Sequence, residues 1–164
     1  MRYISPLICV SFIGMFATLP SAAKDNEADI VITGNLITPP PCKINDGKDI
    51  EVPFGNVPIK SIQGKEQKRE VNYQFHCEEN KNNWATYLTI SGAKSSFDLN
   101  GLNSGINNLA VKFQLGDKEL ELDKKYLIDP KSPGTLWAVL VKNGNAELPT
   151  GDFAAYGTIV VEYQ

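Results

Sequence analysis

The chain has 164 residues, with 16 lysines and arginines against 19 aspartates and glutamates, a formal charge of −3. So mild an acidity excludes the basic footprint of a nucleic-acid binder, and no block of like charges marks a membrane-surface patch.

Met1-Arg2-Tyr3 leads into an apolar run from Ile4 to Leu19, followed by the small residues Ser21-Ala22-Ala23. This is the pattern of a secretory signal peptide over 1–23, with cleavage expected after Ala23. The run is short for a membrane span. Removing 23 of 164 residues leaves 141, which suits one domain able to bury a real core. Loss of Arg2 leaves 15 basic against 19 acidic side chains, or −4. Cys9 leaves with the signal. Cys42 and Cys77 remain, and an even pair in an exported chain reads as one disulfide rather than two buried thiols.

Residues 24–41 read as an N-terminal extension. Within it, Ala28 to Leu36 alternates as a strand does. Ala28, Ile30, Ile32, Gly34 and Leu36 fall on one face, and Asp29, Val31, Thr33 and Asn35 on the other. Pro39, Pro40 and Pro41 separate this stretch from the rest of the chain, because proline lacks a ladder donor and restricts the residue before it. Two readings stand open at this point: an arm that pairs elsewhere, or the first strand of a sandwich.

Cys42-Lys43-Ile44 is expected to start the first core strand of a domain over 42–164, and Asn45-Asp46-Gly47 to turn it. Ile50 to Phe54 alternates around Pro53, as a short edge segment would. Lys60 to Glu70 is apolar-poor and reads as a loop. Val71 to Cys77 alternates, with Val71, Tyr73, Phe75 and Cys77 on the inner face. Trp84 to Ser91 reads as a strand. Gly92 to Gly105 reads as loop, with a short segment around Phe97 and Leu99. Leu109 to Leu115 is a strong strand, turned by Gly116-Asp117 into Leu120-Glu121-Leu122. Thr135 to Val141 is apolar on both faces, as a covered central strand is. Asn143-Gly144-Asn145 turns the chain into a last strand over about 153–163. Short strands at turn-punctuated spacing, with no helix of three turns, predict an all-β sandwich.

No catalytic constellation accompanies this pattern. His76 stands alone beside Cys77 and reads as a strand-surface residue. Glu119, Glu121 and Asp123 share one strand face, which reads as a solvated face; a calcium site there is a weak alternative. Trp84 and Trp137 read as core rather than as a sugar platform. No phosphate loop and no G-x-S-x-G elbow is present, so neither an enzyme nor a cofactor is expected.

The chain closes on Tyr156-Gly157-Thr158-Ile159-Val160-Val161-Glu162-Tyr163-Gln164, with Ile159, Val161 and Tyr163 on one face. A last strand with an apolar face and nothing after it is expected to leave an edge open to another chain. Here a resemblance becomes specific. The alternating arm with its inward glycine, Ile30-x-Ile32-x-Gly34-x-Leu36, resembles that of pilins of the chaperone–usher pathway, above all the small tip subunits of P-type pili. So do Gly34-Asn35-Leu36-Ile37, Pro40-Pro41-Cys42-x-Ile44-Asn45-x-Gly47 and Val52-x-Phe54-Gly55-Asn56. The spacing of Cys42 and Cys77, the penultimate Tyr163, and Gly151 at the fourteenth place from Gln164 complete it.

The resemblance implies an incomplete immunoglobulin-like sandwich lacking its final strand. It implies that a donor strand from a periplasmic pilus chaperone, and later from another subunit, completes the fold. Ala28, Ile30, Ile32, Gly34 and Leu36 would be this chain's own donor residues. Gly151, Ile159, Val161, Tyr163 and Gln164 would form the strand that chaperone and neighbouring subunit read. The implied partners are that chaperone, an outer-membrane usher and neighbouring subunits in a head-to-tail polymer, with export through the periplasm to a surface fimbria as a minor or tip-adaptor subunit. The alternative is a self-contained secreted β-sandwich that binds a ligand such as a glycan, in which Ala28–Leu36 pairs inside its own sheet.

Overall fold

The computed structural model describes residues 28–62, 67–80 and 83–164. The expected signal peptide, 1–23, lies outside the described residues. Residues 28–36 belong to one unit and 37–164 to a second.

The second unit is all-β. Its strands are β1 (Cys42–Ile44), β2 (Lys68–Glu70), β3 (Phe75–Cys77), β4 (Thr86–Gly92), β5 (Leu102–Asn103), β6 (Leu109–Leu115), β7 (Lys118–Leu120), β8 (Tyr126–Ile128), β9 (Leu136–Lys142) and β10 (Gly157–Tyr163). One sheet runs β10-β4-β8. A second runs β2-β9-β6-β5, with β7 also on β6, and β1 pairs β3 separately. The pairings are all antiparallel.

Period-2 alternation explains which side chains meet. Strand β4 turns Thr86, Leu88 and Ile90 inward, and β8 turns Tyr126 and Ile128 the same way. From the other sheet come Leu109, Val111 and Phe113 of β6, with Leu136, Ala138 and Leu140 of β9. These apolar residues form one core between the two sheets, as aligned sandwiches do. Strand β9 is central, flanked by β2 and β6, and its neighbouring residues Ala138, Val139 and Leu140 are all buried.

The segment 68–77 passes from one sheet to another. Residues 68–70 pair with β9 and 75–77 with β1, and buried Val71 donates its N–H to the Leu136 carbonyl at 2.8 Å. The single strand expected over 71–77 is therefore confined to its last three residues. The charged tripeptide Lys68-Arg69-Glu70, expected as loop, is a strand because ladder bonds come from the backbone. Edge positions tolerate charge well, and the Lys68 ammonium lies 4.4 Å above the Trp137 ring. Trp84 and Trp137, expected as core, are only partly buried. Strand β8 had no expectation behind it. The segment expected near Phe97 and Leu99 is displaced to Leu102–Asn103, and Leu99 is exposed.

The alternation of 28–36 leads to no strand in its own unit. Among the described residues this stretch pairs with no strand, and its side chains stand in solvent. An alternating sequence becomes a strand only where a partner satisfies its main chain.

An apolar cleft along the last strand

Strand β10 is hydrogen-bonded to a strand along one edge only, among the described residues. It pairs with β4 from Gly157↔Gly92 to Tyr163↔Thr86, and among the described residues no strand pairs with its other edge. The ladder runs one step further, because Gln164 and Ala85 exchange both backbone bonds, at 2.8 and 3.0 Å. Ile159, Val161 and Tyr163 point inward, with Tyr163 buried and the other two packed on the core.

Two glycines let β10 start where it does. A Cβ on Gly92 would meet a Leu102 methyl at 2.6 Å and the Tyr156 carbonyl oxygen at 2.7 Å. One on Gly157 would meet Leu102 at 2.9 Å and the Ser91 carbonyl oxygen at 3.1 Å. Glycine is the residue for so close an approach of backbones.

A cleft of about 1320 Å³ lies at the start of β10, lined there by Gly157, Thr158 and Ile159. One wall is built by Ile44 and the stretch from Asp49 to Ile59, the other by Leu148 to Ile159. Buried core residues such as Ile62, Val71, Ile90, Val111 and Ala138 line its depth. The edge segment expected at 50–54 keeps its alternation, with Ile50, Val52 and Phe54 half-buried and Glu51 and Pro53 exposed, yet it forms no strand. Pro53 has no N–H to give, and among the described residues no strand lies beside it to accept one. Phe54 and Phe153 approach from the two walls, ring centroids 5.9 Å apart, and the Arg69 guanidinium lies over Phe54 while donating to its carbonyl at 3.3 Å.

Of the residues expected at this site, Gly151 and Ile159 line the cleft, whereas Val161 and Tyr163 pack into the core next to it and Gln164 is exposed. Gly151 has φ 154°, a conformation side-chain-bearing residues seldom adopt. Cys42 and Cys77 sit opposite each other on β1 and β3, Cα atoms 4.1 Å apart, and are joined by a disulfide. That bond ties β1, the start of one cleft wall, to the body of the domain. In the separate unit, Ile30, Ile32 and Leu36 are 86%, 91% and 100% exposed, and nothing lies within 4 Å of a Cβ built on Gly34. Sequence reasoning did not find Ile106, Leu148 and Phe153 as cleft residues. Ile106 and Leu148 are isolated apolar side chains in polar or turn-rich stretches, and Phe153, expected to open the last strand, lies ahead of β10, which starts only at Gly157.

The other residues singled out in the sequence lie outside the cleft. The His76 ring is 2.8 Å from the Asp46 carboxylate, both well exposed. Each acid of the trio meets a lysine: Glu119 pairs with Lys112, Glu121 with Lys124, and Asp123 with Lys94 at 2.7 Å. Those hydrogen bonds hold the Asp123 carboxyl below its usual range, Lys94 first and Ser91 next, and raise Lys124 through Glu121. Among the described residues no group of acids, histidines and cysteines is arranged to hold a metal. A smaller, polar hollow of about 480 Å³ is bordered by Tyr73, whose hydroxyl donates to the Gly134 carbonyl at 2.8 Å; burial raises its pKa.

Sheet order, disulfide and cleft define an immunoglobulin-like sandwich that lacks its final strand. The fold is similar to that of the P pilus adaptor subunit PapF, with a TM-score of 0.58 at 21% identity over 77% of this chain and 98% of that one. It is also similar to the P pilus rod subunit PapA, with a TM-score of 0.56 at 18% identity over 82% and 99%. In sequence, the chain is 30% identical over 159 residues to the uncharacterized fimbrial-like protein YfcQ of Escherichia coli strain K12, covering 94% of this chain and 98% of that protein. It is 27% identical to the fimbrial-like protein YfcR of the same strain, covering 90% and 87%. Residues 30–164 match the fimbrial protein family, and the chain belongs to that family: it is a pilin, a structural subunit of a surface fimbria.

Proposed function

We propose that this pilin is assembled by the chaperone–usher route through donor-strand complementation and exchange, as a minor or tip-adaptor subunit. The carrying observation is the apolar cleft at the start of β10 together with the one-sided pairing of that strand. Unpaired main chain beside exposed apolar surface is costly, and a strand laid against β10 relieves both. A periplasmic chaperone lends that strand first, and at the outer-membrane usher the arm of another subunit replaces it. The arm of this chain, 24–41, in turn fills a neighbour's cleft with Ala28, Ile30, Ile32, Gly34 and Leu36. Each filled apolar pocket contributes about 1.5–3 kcal/mol, and each main-chain bond about 0.5–1.5 kcal/mol, so the joint is tight without covalent linkage. Arm and cleft are different surfaces, so the contact is head-to-tail and repeats into a fibre. The likeness of the arm motif to small tip subunits supports the adaptor position.

The test compares thermal melting of two mature forms, one with the arm deleted and one also carrying a copy of Asp25–Thr38 after Gln164 through a flexible linker. Strong stabilisation of the second, as a monomer, is the expected result. A deleted form that is already stable and gains nothing from the added strand would overturn the assembly reading.

A further inference from the structure

We infer that the cleft selects a donor strand with basic residues at its outward positions, and that it disfavours the arm this chain itself carries. The inference rests on the assembly reading above and adds the kind of partner to it. The charged side chains that line the cleft are Asp49 and Glu51 on one wall and Asp152 on the other, all exposed. Among the described residues, no lysine or arginine lines the cleft or pairs with these three. The charged side chains lining the cleft are thus all anionic above an apolar interior, while the Arg69 guanidinium lies against the wall residue Phe54 and is engaged with its ring and carbonyl.

A strand seated in the cleft sends alternate side chains inward and holds the others at the level of the rim. In this chain's own arm the inward set is Ala28, Ile30, Ile32, Gly34 and Leu36. The opposite set carries Asp25, Glu27 and Asp29 before Val31, Thr33 and Asn35. All three carboxylates therefore share the outward parity and would meet a rim of their own sign. The fitting occupant is the arm of a different subunit with lysine or arginine at those outward positions. Exposed charges of this kind act over about 8–10 Å at ordinary salt, and they set encounter rate and partner choice more than final affinity.

The experiment dilutes the unfolded mature chain into native buffer with one of two labelled peptides and follows association by fluorescence anisotropy. One peptide is Asp25–Thr38. The other carries Asp25→Lys, Glu27→Lys and Asp29→Lys with the apolar residues unchanged. At low salt the basic peptide should associate at least about threefold faster, and the difference should vanish near 0.5 M salt, where screening falls to about 4 Å. In a chain with Asp49→Asn, Glu51→Gln and Asp152→Asn, the two peptides should associate equally. Equal rates on the unaltered chain, faster uptake of the chain's own arm, or a preference that survives the triple substitution would overturn the inference while leaving the cleft intact. Binding of neither peptide, together with no gain from the appended strand, would overturn the assembly reading beneath it.

Discussion

Gln164 and Ala85 hydrogen-bond each other in both directions, the Gln164 N–H to the Ala85 carbonyl at 2.8 Å and the Ala85 N–H to the Gln164 carbonyl at 3.0 Å. The pair holds the end of β10 against β4 just where Tyr163 turns into the core with 8% of its surface exposed. Tyr163→Ala should cost about 3–5 kcal/mol, as loss of a large buried ring does. Tyr163→Phe, which keeps the ring, should recover most of it. Chemical denaturation of the form carrying an appended strand measures both, and a near-neutral alanine variant would contradict this role of the ring.

The glycine pair at the other end of the same ladder gives a second expectation. A methyl on either glycine would first meet the flexible Leu102 side chain, but that of Gly92→Ala also lies 2.7 Å from the Tyr156 backbone oxygen, which cannot step aside, whereas that of Gly157→Ala lies 3.1 Å from the Ser91 backbone oxygen. Both should destabilise by about 1–3 kcal/mol, with Gly92→Ala the worse. A double-mutant cycle should show Leu102→Ala easing Gly157→Ala more than Gly92→Ala.

The disulfide closes a loop of sequence separation 35. Constraining the unfolded chain to that extent is worth about 4 kcal/mol in the chain-entropy model. Replacing Cys42 and Cys77 with serine should lower unfolding free energy by roughly that amount, and reductant should then change nothing further.

Two groups predict the behaviour at the pH extremes. Burial raises Tyr73, so its contribution is complete below the ordinary tyrosine pKa and is lost as pH climbs through the raised value. Tyr73→Phe should flatten part of the alkaline loss, while costing about 0.5–1.5 kcal/mol at neutral pH for the bond to Gly134. Asp123 is held low by Lys94 and then Ser91, so its contribution is present above the ordinary aspartate range and fades as pH falls through the lowered value. Asp123→Asn should therefore blunt the acid limb. Unfolding midpoints against pH, for the parent and each variant, decide both.

In the arm, Gly34→Val adds a branched side chain at an inward position where the proposed docking calls for none. It should slow or abolish uptake of this arm by a neighbouring cleft, read as loss of incorporation into fimbriae. Unchanged incorporation would count against the assignment of Gly34 as a donor-strand residue.

Strong alternation made β4, β6, β9 and β10 legible along the chain, because burying one or both faces of a long strand demands apolar residues at fixed intervals. Short strands escaped the same reading. Lys68-Arg69-Glu70 carries no apolar residue at all, and its strand state is set by the backbone of β9 beside it. Tyr126-Leu127-Ile128 is too brief for a period to emerge, and pairing with β4 decides it.

The sequence by itself determined the all-β class, the pairing of the two cysteines expected to remain after export, the alternation over 28–36 and the inward set of the last strand. Each is a local pattern imposed by a two-residue repeat, an export signal or turn chemistry. The tertiary structure decided the cleft. Ile44, Ile106, Leu148 and Phe153 lie far apart along the chain, and only the packing of the sheets and the one-sided pairing of β10 bring them to a common surface. The anionic rim was equally out of reach, because Asp49, Glu51 and Asp152 become neighbours of one opening through folding alone.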